Sequence, residues 1–205
     1  MTRVYFVRHA QPEHDWEEDR TRPLTEEGKK DSAIVLEFLK DKKIDAFYCS
    51  PYKRSMDTIA EAADFFTKEI ITDERLRERE KGLDGNNHGM FRKRWADHNY
   101  HEEGGESIAM VQKRNIEALN EILSDNTDKD IVIGTHGTAL STILNFYDSN
   151  FGCEDFLRII DWMPYIIELD FESSCNEMES ECPSYSFKLI GKQEHCYIEK
   201  EFKGK

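Results

Sequence analysis

The chain has 205 residues, with 28 Lys plus Arg against 42 Asp plus Glu and a formal net charge of −14. A balance this acidic argues against a nucleic-acid backbone or an anionic membrane surface as partner, since both repel a negative protein. Twelve Phe, eight Tyr and three Trp supply enough apolar bulk for a sizeable core, which excludes wholesale disorder.

Residues 3–8 form a β-branched and aromatic run that predicts a first strand. A polar loop holding Pro12 and Pro23 follows, and Thr25-Glu26-Glu27 then reads as a helix start. Its threonine can cap, and its carboxylates suit the positive end of the dipole. Ala33, Val35 or Leu36, Phe38 and Leu39 continue at helical spacing. Residues 45–49 predict a second strand. Ser50-Pro51 after it reads as an N-cap with proline at the first helical position, ahead of Met56, Ile59, Ala60, Ala63 and Phe66.

Ile70-Ile71 suggests a short third strand. Residues 73–101 are charged, glycine-bearing and irregular, more insert than scaffold. Ile108, Val111, Leu119, Ile122 and Leu123 mark a long amphipathic helix. Residues 130–134 are a continuous apolar run of the kind buried parallel strands use. A turn at Thr135-His136-Gly137-Thr138 leads into a helix over 139–146. Residues 165–171 and 185–190 complete the strands, split by an acidic stretch that ends at Cys182. Alternating strands and helices predict an α/β fold: a single domain over 1–205, a three-layer α/β/α sandwich around a mostly parallel mixed sheet.

No apolar run approaches the ~20 residues of a membrane span, and the first residues are too briefly apolar for a signal peptide. The five cysteines, Cys49, Cys153, Cys175, Cys182 and Cys196, are scattered without a C-x-x-C pair. A zinc site from the last three with His195 is the metal alternative to incidental thiols in a reducing compartment. A cytoplasmic protein is expected.

In open α/β sheets ligands sit at the carboxyl ends of the strands. The first strand ends in Arg8-His9, the second leads to Ser50 and Arg54, and the buried strand ends in His136-Gly137. Each residue alone fits a bland loop or surface role. Two arginines and two histidines from three strand ends together suit a dianionic phosphate, with histidine as donor or nucleophile.

These residues resemble the histidine phosphatase superfamily, also called phosphoglycerate-mutase-like. Its Arg-His-Gly hallmark is matched by Val7-Arg8-His9-Ala10, and its Ser-Pro-x-x-Arg-x-x-x-Thr-Ala pattern by residues 50–60. Its acid motif is matched from Leu76 through Glu78 to Gly82, its Gly-Glu-Ser element by Gly105-Glu106-Ser107, and its final histidine by His136. The resemblance covers residues 1 to about 170. It implies a phosphomonoester hydrolase with His9 as nucleophile, Arg8, Arg54 and His136 holding the phosphoryl oxygens, and Glu78 as general acid and base. Glu80 is the competitor for that last role.

The resemblance further implies no cofactor, no metal and a small phosphorylated substrate, with Gln11, Asp15, Gly137 and Thr138 as binding candidates. Ala10 departs from the motif glycine, and Asp15 stands where the pattern has asparagine, turning a donor into an acceptor. A phosphoglycerate mutase using the same intermediate is the nearest alternative, although mutases of this type usually carry longer inserts and tails. A non-catalytic phosphate-sensing module, or a metal-dependent hydrolase built on His9, His14, His98 and His101, are the others.

Between Arg75 and Arg94 lie seven basic residues and three acidic ones. The expectation is either a basic lid over the site that favours anionic substrates or a solvated loop whose charge has no consequence. A positive pocket inside a negative envelope should repel anionic substrates at long range and capture them at short range. Added salt is therefore expected to raise kcat/KM from the lowest ionic strength before competing for the pocket. A monotonic fall across a salt titration would contradict this.

Overall fold

A computed structural model describes residues 1–83, 88–176 and 184–200. Among these residues six strands form one mixed sheet in the order β3-β2-β4-β1-β5-β6. They are β1 (Thr2–Arg8), β2 (Ala46–Cys49), β3 (Ile70–Thr72), β4 (Asp130–Thr135), β5 (Trp162–Asn176) and β6 (Ser184–Glu199). The first four in that order run parallel, and β5 and β6 run antiparallel to their neighbours.

Alternation along the strands sorts the core onto two faces. Val4, Phe6, Ile131, Ile133, Ile167 and Leu169 pack on one side against α5 (Ile108–Asp125), α6 (Gly137–Tyr147) and α7 (Cys153–Ile159). Tyr5, Val7, Phe47, Val132 and Ile166 face α2 (Ala33–Leu39) and α3 (Lys53–Phe65) on the other. Helices thus cover both faces, as a mostly parallel sheet requires.

The local details depart from the sequence expectation in places. The helix expected after Thr25 is two, α1 (Glu26–Asp31) and α2, separated at Ser32. Thr25 does cap α1, accepting the Gly28 N–H at 2.8 Å. The helix expected to start at Ser50-Pro51 begins instead at Lys53, with Tyr52 at its N-cap. The Ser50 backbone N–H donates to Gly134 O at 3.0 Å and so extends the β2–β4 ladder. That spends the donor that a helix start would leave free.

The insert over 73–101 contains a short helix, α4 (Phe91–Ala96), that its charge content concealed. The helix α7 was also not foreseen, although Asp155 supplies an N-terminal cap by accepting the Gly152 N–H at 3.0 Å. Strands β5 and β6 are longer than their apolar segments, because pairing with each other carries them beyond the covered sheet. The zinc alternative falls partly outside the described residues, which exclude Cys182. His195 is instead bonded to Glu168, Nε2 to Oε2, at 2.8 Å.

Registration brings the strand ends together. Arg8 lies opposite Thr135 and Cys49 opposite Gly134. His9 N–H reaches Thr135 O at 3.1 Å. His9, Ser50 and His136 therefore emerge side by side. The loop after His9 is held from behind by α1: Thr25 N–H donates to Gln11 O at 3.0 Å, and Gly28 packs on the same carbonyl. A Cβ on Gly28 would stand 2.2 Å from that oxygen, a backbone atom that cannot swing away. Gly28→Ala is expected to lower stability by about 1–3 kcal/mol and to lower activity with it by displacing the His9 loop. Urea unfolding and a phosphatase assay on one preparation check both.

Candidate active site

A cavity of about 200 Å³ opens at the carboxyl ends of β1 and β4. Its wall carries Arg8, His9, Arg54 and Glu78 together with Gly137 and Thr138. Six cationic side chains (Arg8, Arg22, Arg54, Arg79, Lys81 and Arg94) face two carboxylates, Asp19 and Glu78. An apolar section is made by Phe91, Trp95, Ile108, Phe156 and Met163.

Arg8 is buried and is held by backbone carbonyls alone. Its guanidinium donates to Ile159 O at 2.5 Å, Ile160 O at 2.8 Å and Trp162 O at 3.2 Å, all at the junction of α7 and β5. Gly137 packs flat on it, since a Cβ there would come within 3.2 Å of the guanidinium carbon. Burial pushes the Arg8 pKa down to about 10, which still leaves it cationic at neutral pH. Its Nε is buried with no partner among the described residues.

His9 Nδ1 lies 2.7 Å from Ala10 O. A carbonyl only accepts, so the proton is on Nδ1 and Nε2 keeps its lone pair. Burial, with the charges of Arg54 and Arg8, holds the His9 pKa well below its ordinary value. The imidazole is therefore neutral and nucleophilic at physiological pH. The turn is braced by Thr58, whose Oγ1 accepts the Ala10 N–H at 2.9 Å and donates to Arg54 O at 2.7 Å. Ala10 itself is fully buried and does not line the cavity.

Arg54 donates to Asp19 O at 2.7 Å and to the Asp19 carboxylate at 3.3 Å. Arg22 meets the same carboxylate at 2.8 Å, and Lys81 approaches it at 4.0 Å. Asp19 is thus the counter-ion of this part of the cluster. Glu78 accepts the Arg79 N–H at 2.7 Å and the Thr138 N–H at 3.1 Å. The Thr138 amide, expected for a substrate anion, is here engaged by the neighbouring carboxylate. His136 is fully buried behind His9, their rings edge to face at 5.2 Å.

Gln11 and Asp15 do not line the cavity. Gln11 turns its side-chain oxygen to Thr25, which donates at 3.3 Å, and Asp15 is exposed. The carboxylate beside the phosphate-type donors is Asp19, with Arg22 and His14 from the same loop, and no motif spacing marked them. His98 and His101 also stand off the wall. Among the described residues no three His, Cys, Asp or Glu side chains come together to hold a metal ion.

Within the expected basic lid, carboxylates outside the Arg75–Arg94 stretch pair with most of the cations. Arg75 pairs with Asp73 and Glu121, Arg77 with Glu106, and Arg92 with Glu154. Arg94 meets Glu102 at 2.5 Å and Arg79 meets it at 3.3 Å. Lys93 lies over the Tyr100 ring at 3.7 Å. Only Arg79, Lys81 and Arg94 of the seven reach the wall. Their neighbours there, Phe91 and Trp95 of α4, make that side of the cavity aromatic.

The segment carrying Glu78 is fixed by Arg114 of α5. Its guanidinium donates to Arg75 O at 2.6 Å, Arg77 O at 2.8 Å and Glu78 O at 3.1 Å, and it forms a bidentate pair with Glu106. Glu106 also accepts the Glu80 N–H at 2.9 Å. Glu80 is not on the cavity wall, whereas Glu78 is.

Comparison with known proteins agrees with this geometry. A family model described as the histidine phosphatase superfamily (branch 1) matches residues 4–161. Phosphoserine phosphatase 1 of Hydrogenobacter thermophilus is 29% identical over 154 residues, covering 66% of this chain and 71% of that protein. A 2,3-bisphosphoglycerate-dependent phosphoglycerate mutase of Thermoplasma acidophilum is 44% identical over 55 residues, 27% of this chain and 28% of its own. Mycobacterial glucosyl-3-phosphoglycerate phosphatase superposes with a TM-score of 0.70 at 17% identity, covering 91% of this chain and 97% of that one.

Burial of His9 and His136 as neutral rings makes stability depend on pH. Both have folded pKa values below the unfolded value, so the unfolded chain binds more protons once pH falls through about 6.5. Each ring then removes up to about 1.4 kcal/mol per pH unit, until its folded pKa is reached. Urea unfolding without phosphate should show stability falling from pH 7 to pH 5, less steeply in His9→Ala. A rise over that interval would reverse the assignment.

Proposed function

Because the chain belongs to the histidine phosphatase superfamily, branch 1, we propose that it hydrolyses small-metabolite phosphomonoesters through a phosphohistidine on His9. The observation that carries this reading is the His9 tautomer. With Nδ1 committed to the Ala10 carbonyl, the Nε2 lone pair belongs to a ring on the wall of a cationic cavity. The chain is read as a single catalytic domain.

The phosphoryl group sits among Arg8, Arg54 and His136, whose donors neutralise its oxygens as charge shifts in flight. Nε2 of His9 attacks phosphorus, the P–N bond forms and the P–O ester bond breaks. Glu78 gives its proton to the departing alcohol oxygen. Water then attacks phosphorus, Glu78 takes its proton, the P–N bond breaks and inorganic phosphate leaves.

The cavity volume of about 200 Å³ suits a compact substrate. Arg22 and Lys81 extend its cationic side beyond the phosphoryl position. The relatives named for phosphoserine and for phosphoglycerate chemistry make those esters the first to assay. The short mutase match keeps interconversion of phosphoglycerates as the second reading.

His9→Ala should abolish phosphate release and the acid-labile phosphoryl adduct that wild type forms. Glu78→Gln should slow alkyl phosphates by about 10²–10⁴-fold but p-nitrophenyl phosphate much less, since that leaving group needs no proton. Equal, negligible release by wild type and His9→Ala would leave a phosphate sensor. Isomerisation of 3-phosphoglycerate without net release would leave a mutase.

A further inference from the structure

His136 makes its polar side-chain contact through Nε2, 2.7 Å from Ser50 Oγ. Its other nitrogen, Nδ1, is buried with no partner among the described residues. A neutral imidazole has one donor nitrogen and one acceptor nitrogen, so these two positions cannot play the same role. Burial, Arg54 and His9 hold the His136 pKa well below its ordinary value, so the ring is neutral and has one proton to place.

The surroundings of Ser50 decide where that proton goes. Ser50 Oγ accepts the Tyr52 N–H at 3.3 Å. A second lone pair and the O–H remain; among the described residues Nε2 is the acceptor within reach of that O–H, so Nε2 accepts. The ring proton is left on Nδ1. The opposite tautomer would leave the Ser50 hydroxyl hydrogen without an acceptor in a fully buried place. It would also leave Nδ1 with a bare lone pair, unable to donate to an oxyanion held beside His9.

We infer that Ser50 is a positioning residue that sets the tautomer of His136, keeping Nδ1–H as a donor reserved for a phosphoryl oxygen. The tautomer assignment stands on the Ser50 contact and the use of Nδ1 rests on the proposed phosphatase reading. An unpartnered buried N–H is costly in the empty site and becomes favourable when an anion accepts it. Arg8 Nε, which lies against Gly137 and is buried and unpartnered among the described residues, is a second donor of the same kind. The backbone of Ser50 is pinned separately, by its N–H to Gly134 O at 3.0 Å. Removing the hydroxyl thus leaves the strand pairing intact.

The test is ¹⁵N NMR of histidine-labelled wild type with and without orthovanadate, alongside kinetics of Ser50→Ala. The expected spectrum has a protonated Nδ1 and an unprotonated Nε2 at His136, with Nδ1 shifting on vanadate binding. Ser50→Ala should retain its circular dichroism, lose the single-tautomer signature and lose roughly 10- to 100-fold in kcat with a smaller change in KM. A wild-type proton on Nε2, or an imidazolium ring at pH 7, would overturn the inference whatever the variant does. So would a folded Ser50→Ala with unchanged spectrum and kcat. The expected tautomer in a protein that released no phosphate would uphold the Ser50 role and refute the phosphatase reading instead.

Discussion

The site depends on keeping positive charge in a buried crevice with few counter-ions. Arg8 and Arg54 repel each other and depress the basicity of both buried histidines. For Arg8 the solution is neutral: three carbonyl oxygens at the α7–β5 junction solvate its guanidinium without cancelling its charge. For Arg54 the solution is ionic, through Asp19. The difference matters chemically. A carbonyl-solvated arginine keeps its full attraction for an incoming dianion, whereas one already paired with a carboxylate must share it.

Around that crevice the remaining charges serve as struts. Arg114 and Glu106 tie α5 to the backbone of the Glu78 segment, and Glu102 ties Arg79 to Arg94. These pairs are largely buried, so breaking one by removing a single partner strands the other charge. Several of the chain's charges are therefore internal scaffolding for a segment with little regular structure. The general acid, if Glu78 serves as one, owes its position to an arginine 36 residues later.

Much of the fold was legible because its signals are local. Residues 130–134 read as a buried strand from apolar character alone, and β4 runs through them. Thr25 announced a helix start that the Gly28 contact realises. The Ser50-Pro51 start misled for a physical reason: the Ser50 backbone was more useful to the β2–β4 ladder and its hydroxyl to His136 than to a cap. The α4 helix was hidden because its face toward the core is short and its exposed residues are charged. Asp19 and Arg22 were invisible because their roles come from loop geometry, which no periodicity encodes.

The sequence by itself determined the chemistry available at each strand end, since Arg8-His9 and His136-Gly137 are contiguous with the strands that deliver them. It also determined the overall alternation of layers, through apolar patterning with short range along the chain. The tertiary structure alone decided which charges are free to act. The seven basic residues between Arg75 and Arg94 read as a positive lid only while their partners, Asp73, Glu102, Glu106, Glu121 and Glu154, are counted elsewhere in the chain. Coulomb attraction depends on distance in space, and folding brought those carboxylates within hydrogen-bonding reach. The net charge of −14 is a sum, and a sum carries no information about which of its members cancel one another.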